Sequence, residues 1–290
     1  MDLFKIYDSF KSTSDCHAFL ASIRWPEKVR CAYCSDEKVY KRNGSNGYKC
    51  GSCNNSFTVT TGTIFHSSKL SLLKWFLAVS QILAAKKGIS SLQLARTISV
   101  NKNTAWYMQY RIRRAMKTDV LLKGIVEVDE TYVGGALANM HKKQKLKRNP
   151  YKSGMIHKVP VLGMIERSSG KASLHVVNHA NGENIKPILK KQISIDSELV
   201  TDGHGSYAGL SGHFKKHVIM NHEKRKIKEG IYDLGRIEGF FTIIKRAVIG
   251  QYHRLDKKHL QSYMDEISFK KNTLFEVSFN YLLKRMCAVF

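Results

Sequence analysis

Three carboxylates fall within four residues, Glu127, Asp129 and Glu130, inside the stretch Gly124-Ile125-Val126-Glu127-Val128-Asp129-Glu130-Thr131-Tyr132-Val133-Gly134-Gly135. Apolar and polar residues alternate from Val126 to Asp129, the period of a strand. Acidic residues on a strand discourage unwanted edge pairing. They are also hard oxygen ligands on a rigid element, of the kind that Mg²⁺ takes. Taken alone, the stretch leaves both readings open.

Two further acids bear on it. Asp202 ends a short strand, Glu198-Leu199-Val200-Thr201-Asp202, ahead of Gly203-His204-Gly205. Glu238 lies in a helix expected over 234–249, with Ile237, Phe240, Phe241, Ile244 and Val248 on one face. If Asp129, Asp202 and Glu238 converge, they form a divalent-metal site whose remaining positions phosphate oxygens can fill. Two ions held there would activate water or a 3′-hydroxyl and stabilise the leaving oxygen of an in-line displacement. Lys245, about two helical turns beyond Glu238, shares its face and could hold a backbone phosphate. Alternation puts Glu127 on Asp129's face and Glu130 on the other. Either one supports the ligands or is solvated.

The elements that must position these acids follow in order. Val159–Ile165 and Lys171–Val177 read as strands joined at Ser168-Ser169-Gly170, followed by a helix over 183–193. The Glu198–Asp202 strand, a strand at His217–Met220, the helix over 234–249, and helices over 257–272 and 274–288 complete the chain. This order suits an α/β mixed sheet with flanking helices, as in ribonuclease-H-like domains. Asp129 and Asp202 would then stand on adjacent strands, with Glu238 reaching them from the helix. A basic run between His141 and Lys152 lacks an apolar face and reads as a loop able to clamp nucleic acid.

The N-terminal half carries a second constellation. Cys31-Ala32-Tyr33-Cys34 and Cys50-Gly51-Ser52-Cys53 are separated by fifteen residues, the spacing of a zinc ribbon. Four thiolates suit a tetrahedral Zn²⁺. With few apolar residues around them, the metal would supply the folding energy. Short strands are expected at Lys38–Lys41 and Tyr48–Lys49. Residues 1–30 read as a helical lead-in capped at Ser14-Asp15 and ended by Arg24-Trp25-Pro26, with Cys16 as a small buried residue.

Residues 67–117 read as helices, and Ser90 to Ile112 has the layout of a helix-turn-helix. Ser90 caps the first helix and a turn at Ser99-Val100-Asn101 leads into the second. Asn101, Lys102, Asn103 and Thr104 stand at the end that meets base edges. Arg111, Arg113, Arg114 and Lys117 are expected phosphate contacts. The net charge of +25, 48 Lys+Arg against 23 Asp+Glu, favours a polyanionic partner, nucleic acid before membrane. The most apolar run, Leu70 to Ala85, is too short to span a bilayer and is interrupted by Lys74 and Gln81. A reducing, cytoplasmic setting fits the paired cysteines.

Taken together, Arg24-Trp25-Pro26, the CxxC pairs, Thr61-Gly62-Thr63-Ile64-Phe65, Val128–Gly135, Val200-Thr201-Asp202-Gly203 and Ile237-Glu238-Gly239-Phe240 resemble the ISXO-like transposases. These are bacterial insertion-sequence DDE transposases related to the Merlin elements. The likeness runs over roughly residues 10–285. It implies a ribonuclease-H-like catalytic domain that cuts at terminal inverted repeats and joins the 3′-hydroxyl ends to target DNA. It makes Asp129, Asp202 and Glu238 ligands of Mg²⁺ or Mn²⁺, with Lys245 as accompanying basic residue and Cys31, Cys34, Cys50 and Cys53 as zinc ligands. It further implies double-stranded DNA as partner, a homo-oligomer pairing two ends, and a place at the bacterial nucleoid. The expected domains are a lead-in (1–30), ribbon (31–60), helix-turn-helix (67–117), catalytic domain (122–273) and C-terminal helix (274–290). The chain departs from the family where His-Thr-Asn is replaced by Asp233-Leu234-Gly235, at Phe241 in place of Trp, and at Ser35 in place of Gly. The rival reading is a non-catalytic zinc-ribbon and helix-turn-helix DNA-binding protein, either regulatory or a decayed transposase.

Overall fold

The computed structural model describes residues 3–117, 119–134, 158–220, 230–253 and 255–288. The basic run at 141–152 lies outside them. Contacts divide the chain into two compact units, one of Met1–Met116 with Thr273–Phe290, the other of Lys117–Asn272.

The first unit opens with helices α1 (Leu3–Ser9) and α2 (Thr13–Arg24). The cap of α2 is Ser12 rather than Ser14. Ser12 Oγ accepts from Asp15 N at 3.1 Å and Asp15 Oδ2 accepts from Ser12 N at 2.7 Å, a reciprocal capping box. Strands β1 (Val39–Lys41), β2 (Gly47–Cys50) and β3 (Ser56–Thr58) form an antiparallel sheet; the sequence pattern had marked only the first two. Helix α3 (Leu72–Ala84) is apolar almost all round and is buried accordingly. Its Phe76 ring meets Phe10 at 5.0 Å and Phe279, on the C-terminal helix Phe275–Cys287, at 6.0 Å.

Helices α4 (Ser91–Thr97) and α5 (Lys102–Met116) are joined by a short turn in which Ser99 takes φ +53. Ser90 caps α4 as expected, accepting from Gln93 N at 3.2 Å. Their packing is locked by buried Gln109, which accepts from Ser91 Oγ and donates to the carbonyl of Ile89, both at 2.9 Å. A buried amide satisfied on both ends fixes one helix against the other.

The second unit is a five-stranded mixed sheet in the order β6-β5-β4-β7-β8. Its strands are β4 (Ile125–Val133), β5 (Val159–Glu166), β6 (Ala172–Val176), β7 (Glu198–Asp202) and β8 (Lys216–Met220). The antiparallel meander β4-β5-β6 continues through parallel pairings of β4 with β7 and β7 with β8. Parallel neighbours need a crossover, and helix α6 (Gly182–Gln192) supplies it between β6 and β7.

Helices cover both faces. Val126, Val128, Leu162 and Met164 pack with Ile185 and Leu189 of α6 and with Tyr207. On the other face Val133, Val161 and Ile165 pack with Ile237, Phe240, Phe241 and Ile244 of α7 (Gly235–Ala247) and with Leu260 and Met264 of α8 (Lys257–Asn272). β4 therefore sends alternate side chains into two different cores.

Gly163 sets how close α7 comes to the sheet. A Cβ there would meet Phe241 Cε1 at 2.5 Å and Ile237 Cδ1 at 2.9 Å, and Gly163 is the cross-strand partner of Asp129. Gly163→Ala should therefore push α7 outward and cost about 1–3 kcal/mol. Thermal melts check the loss, and an unchanged midpoint would show that α7 relaxes without strain.

Candidate active site

β4 and β7 run parallel with Ile125 opposite Glu198, Val126 opposite Leu199 and Glu127 opposite Val200. Two residues further along the same register, Asp129 stands beside Asp202. The hydrogen-bonded ladder has ended by then, so both carboxylates sit where the strands open. Glu238 lies in the first turn of α7, the helix packed on Asp129's face.

Burial pushes the Asp129 carboxyl up to about 7, and the charges of Glu130, Asp202 and Glu238 add to the rise. Asp129 Oδ1 accepts from Glu130 N at 2.7 Å, and Asp202 Oδ1 from His204 N at 3.0 Å. The acids are thus within electrostatic reach of one another. They do not close on a single point: among the described residues, only the four cysteines bring their ligand atoms all within 4.8 Å. Lys245 is exposed, seven residues beyond Glu238 on α7.

Those cysteines are Cys31, Cys34, Cys50 and Cys53. The Sγ atoms of Cys31 and Cys53, and of Cys34 and Cys50, lie 3.6 Å apart. A tetrahedron with metal–sulfur bonds of about 2.3 Å has edges of about 3.8 Å, so the spacing is that of a closed tetrathiolate site. Tyr33 N and Cys53 N donate to Cys31 Sγ and Cys50 Sγ at 3.4 and 3.5 Å. Only Cys31, Cys50 and Phe57 form the buried core of this sheet, with Trp25 and Tyr48 packed against it.

The sequence model of the ISXO2-like transposase domain matches residues 121–272, and that of the transposase zinc-ribbon domain matches residues 11–56. The chain belongs to the ISXO2-like transposase family. A curated relative from Halobacterium salinarum, an uncharacterized protein in transposable element ISH50, is 30% identical over 215 residues, covering 70% of this chain and 71% of the relative.

Two carboxylates of the transposase that the sequence left open have definite partners. Glu127 is completely buried. Its Oε1 accepts from Arg167 Nε at 2.9 Å, and its Oε2 accepts from Arg236 N at 3.0 Å and Ile237 N at 3.1 Å. Glu130 faces the opposite core, where its Oε2 accepts from Tyr207 Oη at 2.6 Å. Neither is a solvated edge charge, although Glu130 Oε1 is buried with no hydrogen-bond partner among the described residues. Alternation had placed them on the correct faces, but nothing local in the sequence identified their partners.

The divergent Asp233-Leu234-Gly235 also has a structural role. Asp233 pairs with Arg167 at 2.6 Å and accepts from Gly235 N at 2.9 Å, while Leu234 is buried. The tripeptide starts α7 and leaves Glu238 as its acidic residue on that turn.

The expected DNA-contacting residues divide. Asn101, Lys102 and Asn103 are exposed at the start of α5 and line an open depression with Thr104 and Tyr107. Asn101 also caps α5, its Oδ1 accepting from Thr104 N at 2.7 Å. Arg114 is exposed. Arg111 is held within the unit, near the Tyr107 and Trp75 rings at 5.5 and 5.8 Å and donating to the His66 carbonyl. Arg113 is 2% exposed, which overturns its expected role as a phosphate contact: it lies on the face by which α5 packs into its unit. Among the described residues, no helix is long and apolar enough to cross a membrane.

Two outcomes are expected. Chelation, or Cys50→Ser, should release zinc and expose residues 31–58 to proteolysis, because the apolar core there is too small to hold the sheet alone. Zinc release without added cleavage would show a self-sufficient fold. Separately, Asp129→Asn should raise the melting temperature of the metal-free protein at about pH 8 and leave it unchanged at about pH 4. The sign follows from a folded pKa raised from 3.8 to about 7: the ionised form is penalised increasingly through that window and fully above it. A melting temperature independent of pH in the difference would count against the crowding of these acids.

Proposed function

We propose that the second unit is a ribonuclease-H-like catalytic domain that cuts DNA at the inverted repeats of its element and joins the resulting 3′-hydroxyl ends to target DNA. The observation that carries this is the placement of Asp129 and Asp202 on adjacent parallel strands, with Glu238 delivered by the helix over them, in a chain that matches the transposase family. The strand order and directions support the fold reading. The donor set also fits a hard divalent cation. It is all oxygen, and Asp129, whose carboxyl is pushed up mainly by burial and further by the charges of Glu130, Asp202 and Glu238, is a group that a cation would hold in its ionised form.

Asp129, Asp202 and Glu238 would hold Mg²⁺ or Mn²⁺, which when bound supplies the Lewis acidity for an in-line phosphoryl displacement. Asp129 and Asp202 stand just past the end of the β4–β7 ladder, and Glu238 is exposed on the first turn of α7; a scissile phosphate would bind between these acids through the metal. Lys245, exposed two turns along that helix, neutralises a neighbouring phosphate of the same strand. The four-cysteine ribbon holds Zn²⁺ and its sheet together. The α4–α5 pair acts as a helix-turn-helix that presents Lys102, Asn103 and the cap residue Asn101 to a groove, with Arg114 beside the backbone. The +25 charge supplies sequence-independent affinity. Joining two ends requires two copies of the chain on DNA.

The test is strand transfer of a labelled inverted-repeat duplex with Mg²⁺ or Mn²⁺. Wild type should yield joined product and Asp129→Ala should lose it by at least about 10³-fold while binding the duplex equally well. If wild type and Asp129→Ala are equally inert yet both bind, the protein is a DNA-binding protein of transposase descent. Cleavage with no joined product would make it a nuclease.

A further inference from the structure

We propose that Glu127 is the positioning residue of this site: it ties the first turn of α7, which carries Glu238, to β4, which carries Asp129. The inference rests on the catalytic reading above and adds a residue to it.

The first turn of a helix has N–H groups with no partner inside the helix, and a side chain at the N-cap usually accepts from them. In α7 the N-cap is Leu234, which makes no side-chain cap. The two N–H groups that precede Glu238, those of Arg236 and Ile237, instead donate to Glu127 Oε2, about 110 residues earlier in the chain. A carboxylate at a helix N-terminus is favoured by the helix dipole as well as by these two bonds. Asp233 meets the Gly235 N–H locally, but the cap on the next two N–H groups is long-range and its position is set by the sheet.

Glu127 and Asp129 are two residues apart on β4, so they share a face and are separated by roughly 7 Å along the strand. The same strand therefore holds the first acid and, through Glu127, the start of the helix carrying the third. The other oxygen of Glu127 is engaged by Arg167, which also binds Asp233 just before α7. Arg236 Nη1 returns to the Arg167 carbonyl at 2.6 Å. Glu127, Arg167, Asp233 and Arg236 thus close a ring around the helix start. Ile237 and Phe241, against the Cβ-less Gly163, press the following turn onto the sheet opposite Asp129. With its end capped and its face seated, α7 can neither slide nor rotate without breaking bonds to a buried charge. Glu238 inherits that position.

The experiment compares Glu127→Gln, which keeps an acceptor oxygen, with Glu127→Ala and with Leu189→Ala. Leu189 is a buried residue of α6 on the far face of the sheet and serves as a control for lost stability alone. Binding of Mn²⁺ by the full-length protein is read by electron paramagnetic resonance. Amide exchange is read on the peptide containing 234–240, and strand transfer is normalised to folded protein. Glu127→Ala should weaken Mn²⁺ binding about 10–100-fold and speed exchange at Arg236 and Ile237. Glu127→Gln should recover part of both, and Leu189→Ala should change neither. Equal Mn²⁺ affinity in Glu127→Ala and wild type would overturn the proposal, as would equal losses in Glu127→Ala and Leu189→Ala. If wild type binds Mn²⁺ but transfers no strand, the catalytic reading fails while the Mn²⁺ and exchange comparisons still decide the role of Glu127. Should Glu127→Ala not fold, the decision passes to Glu127→Gln, where wild-type affinity and exchange with a lowered melting temperature would mean a structural role only.

Discussion

An ionised carboxylate taken wholly out of water costs several kcal/mol unless its oxygens are met by donors. The second unit of this transposase is arranged around one such group. Glu127, near the start of the middle strand, receives a guanidinium on one oxygen and two backbone N–H groups on the other. Those donors come from the residue after β5 and from the start of α7. Satisfying a single buried charge therefore brings together three segments far apart in the chain. No shift of α7 along the sheet can keep those bonds.

The middle strand does further work by alternating. Its residues at 126 and 128 fill the core under α6, while Ile125 and Val133 belong to the core under α7 and α8. Its acids follow the same rule, Glu127 and Asp129 toward α7 and Glu130 toward Tyr207. Glu130 is hydrogen-bonded in its own core, so the acid next to Asp129 in sequence is directed away from α7. Strand geometry thus sends three carboxylates within four residues to two faces, with Glu127 and Asp129 on one and Glu130 on the other. Gly163 completes the arrangement by removing a side chain where α7 must approach most closely.

The first unit solves a different problem. A sheet of three short strands buries little apolar surface, and four cysteines beside it are arranged at tetrahedral spacing to hold a metal that would cross-link it. The helical part beside it in the chain is held conventionally, by the buried face of α3 and by the Gln109 amide between α4 and α5. The packing that fixes α5 also decides which of its cations are exposed. Arg113 is drawn inside and Arg111 is held against aromatic rings, while Lys102 and Arg114 stay at the surface.

The sequence by itself determined what depends on local spacing. Two CxxC pairs at the right separation announce a tetrathiolate site, since each pair turns two sulfurs toward one ion without help from distant residues. Period-two alternation located β4, apolar residues at helical spacing located α3 and α7, the helix-turn-helix layout located α5, and Ser90 marked its helix start. The family motifs named Asp129, Asp202 and Glu238 as a set. Tertiary structure decided everything that rests on which segments meet. Register made Asp129 the neighbour of Asp202. Helix packing buried Arg113, which by composition alone is indistinguishable from exposed Arg114. Beyond the local Asp233 bond to Gly235, the N–H groups of Arg236 and Ile237 at the start of α7 are met by Glu127, more than a hundred residues away, and no local pattern encodes such a bond. A hydrogen bond between distant segments appears in a sequence only as two unremarked residues, and its energy depends on a burial that the fold alone creates.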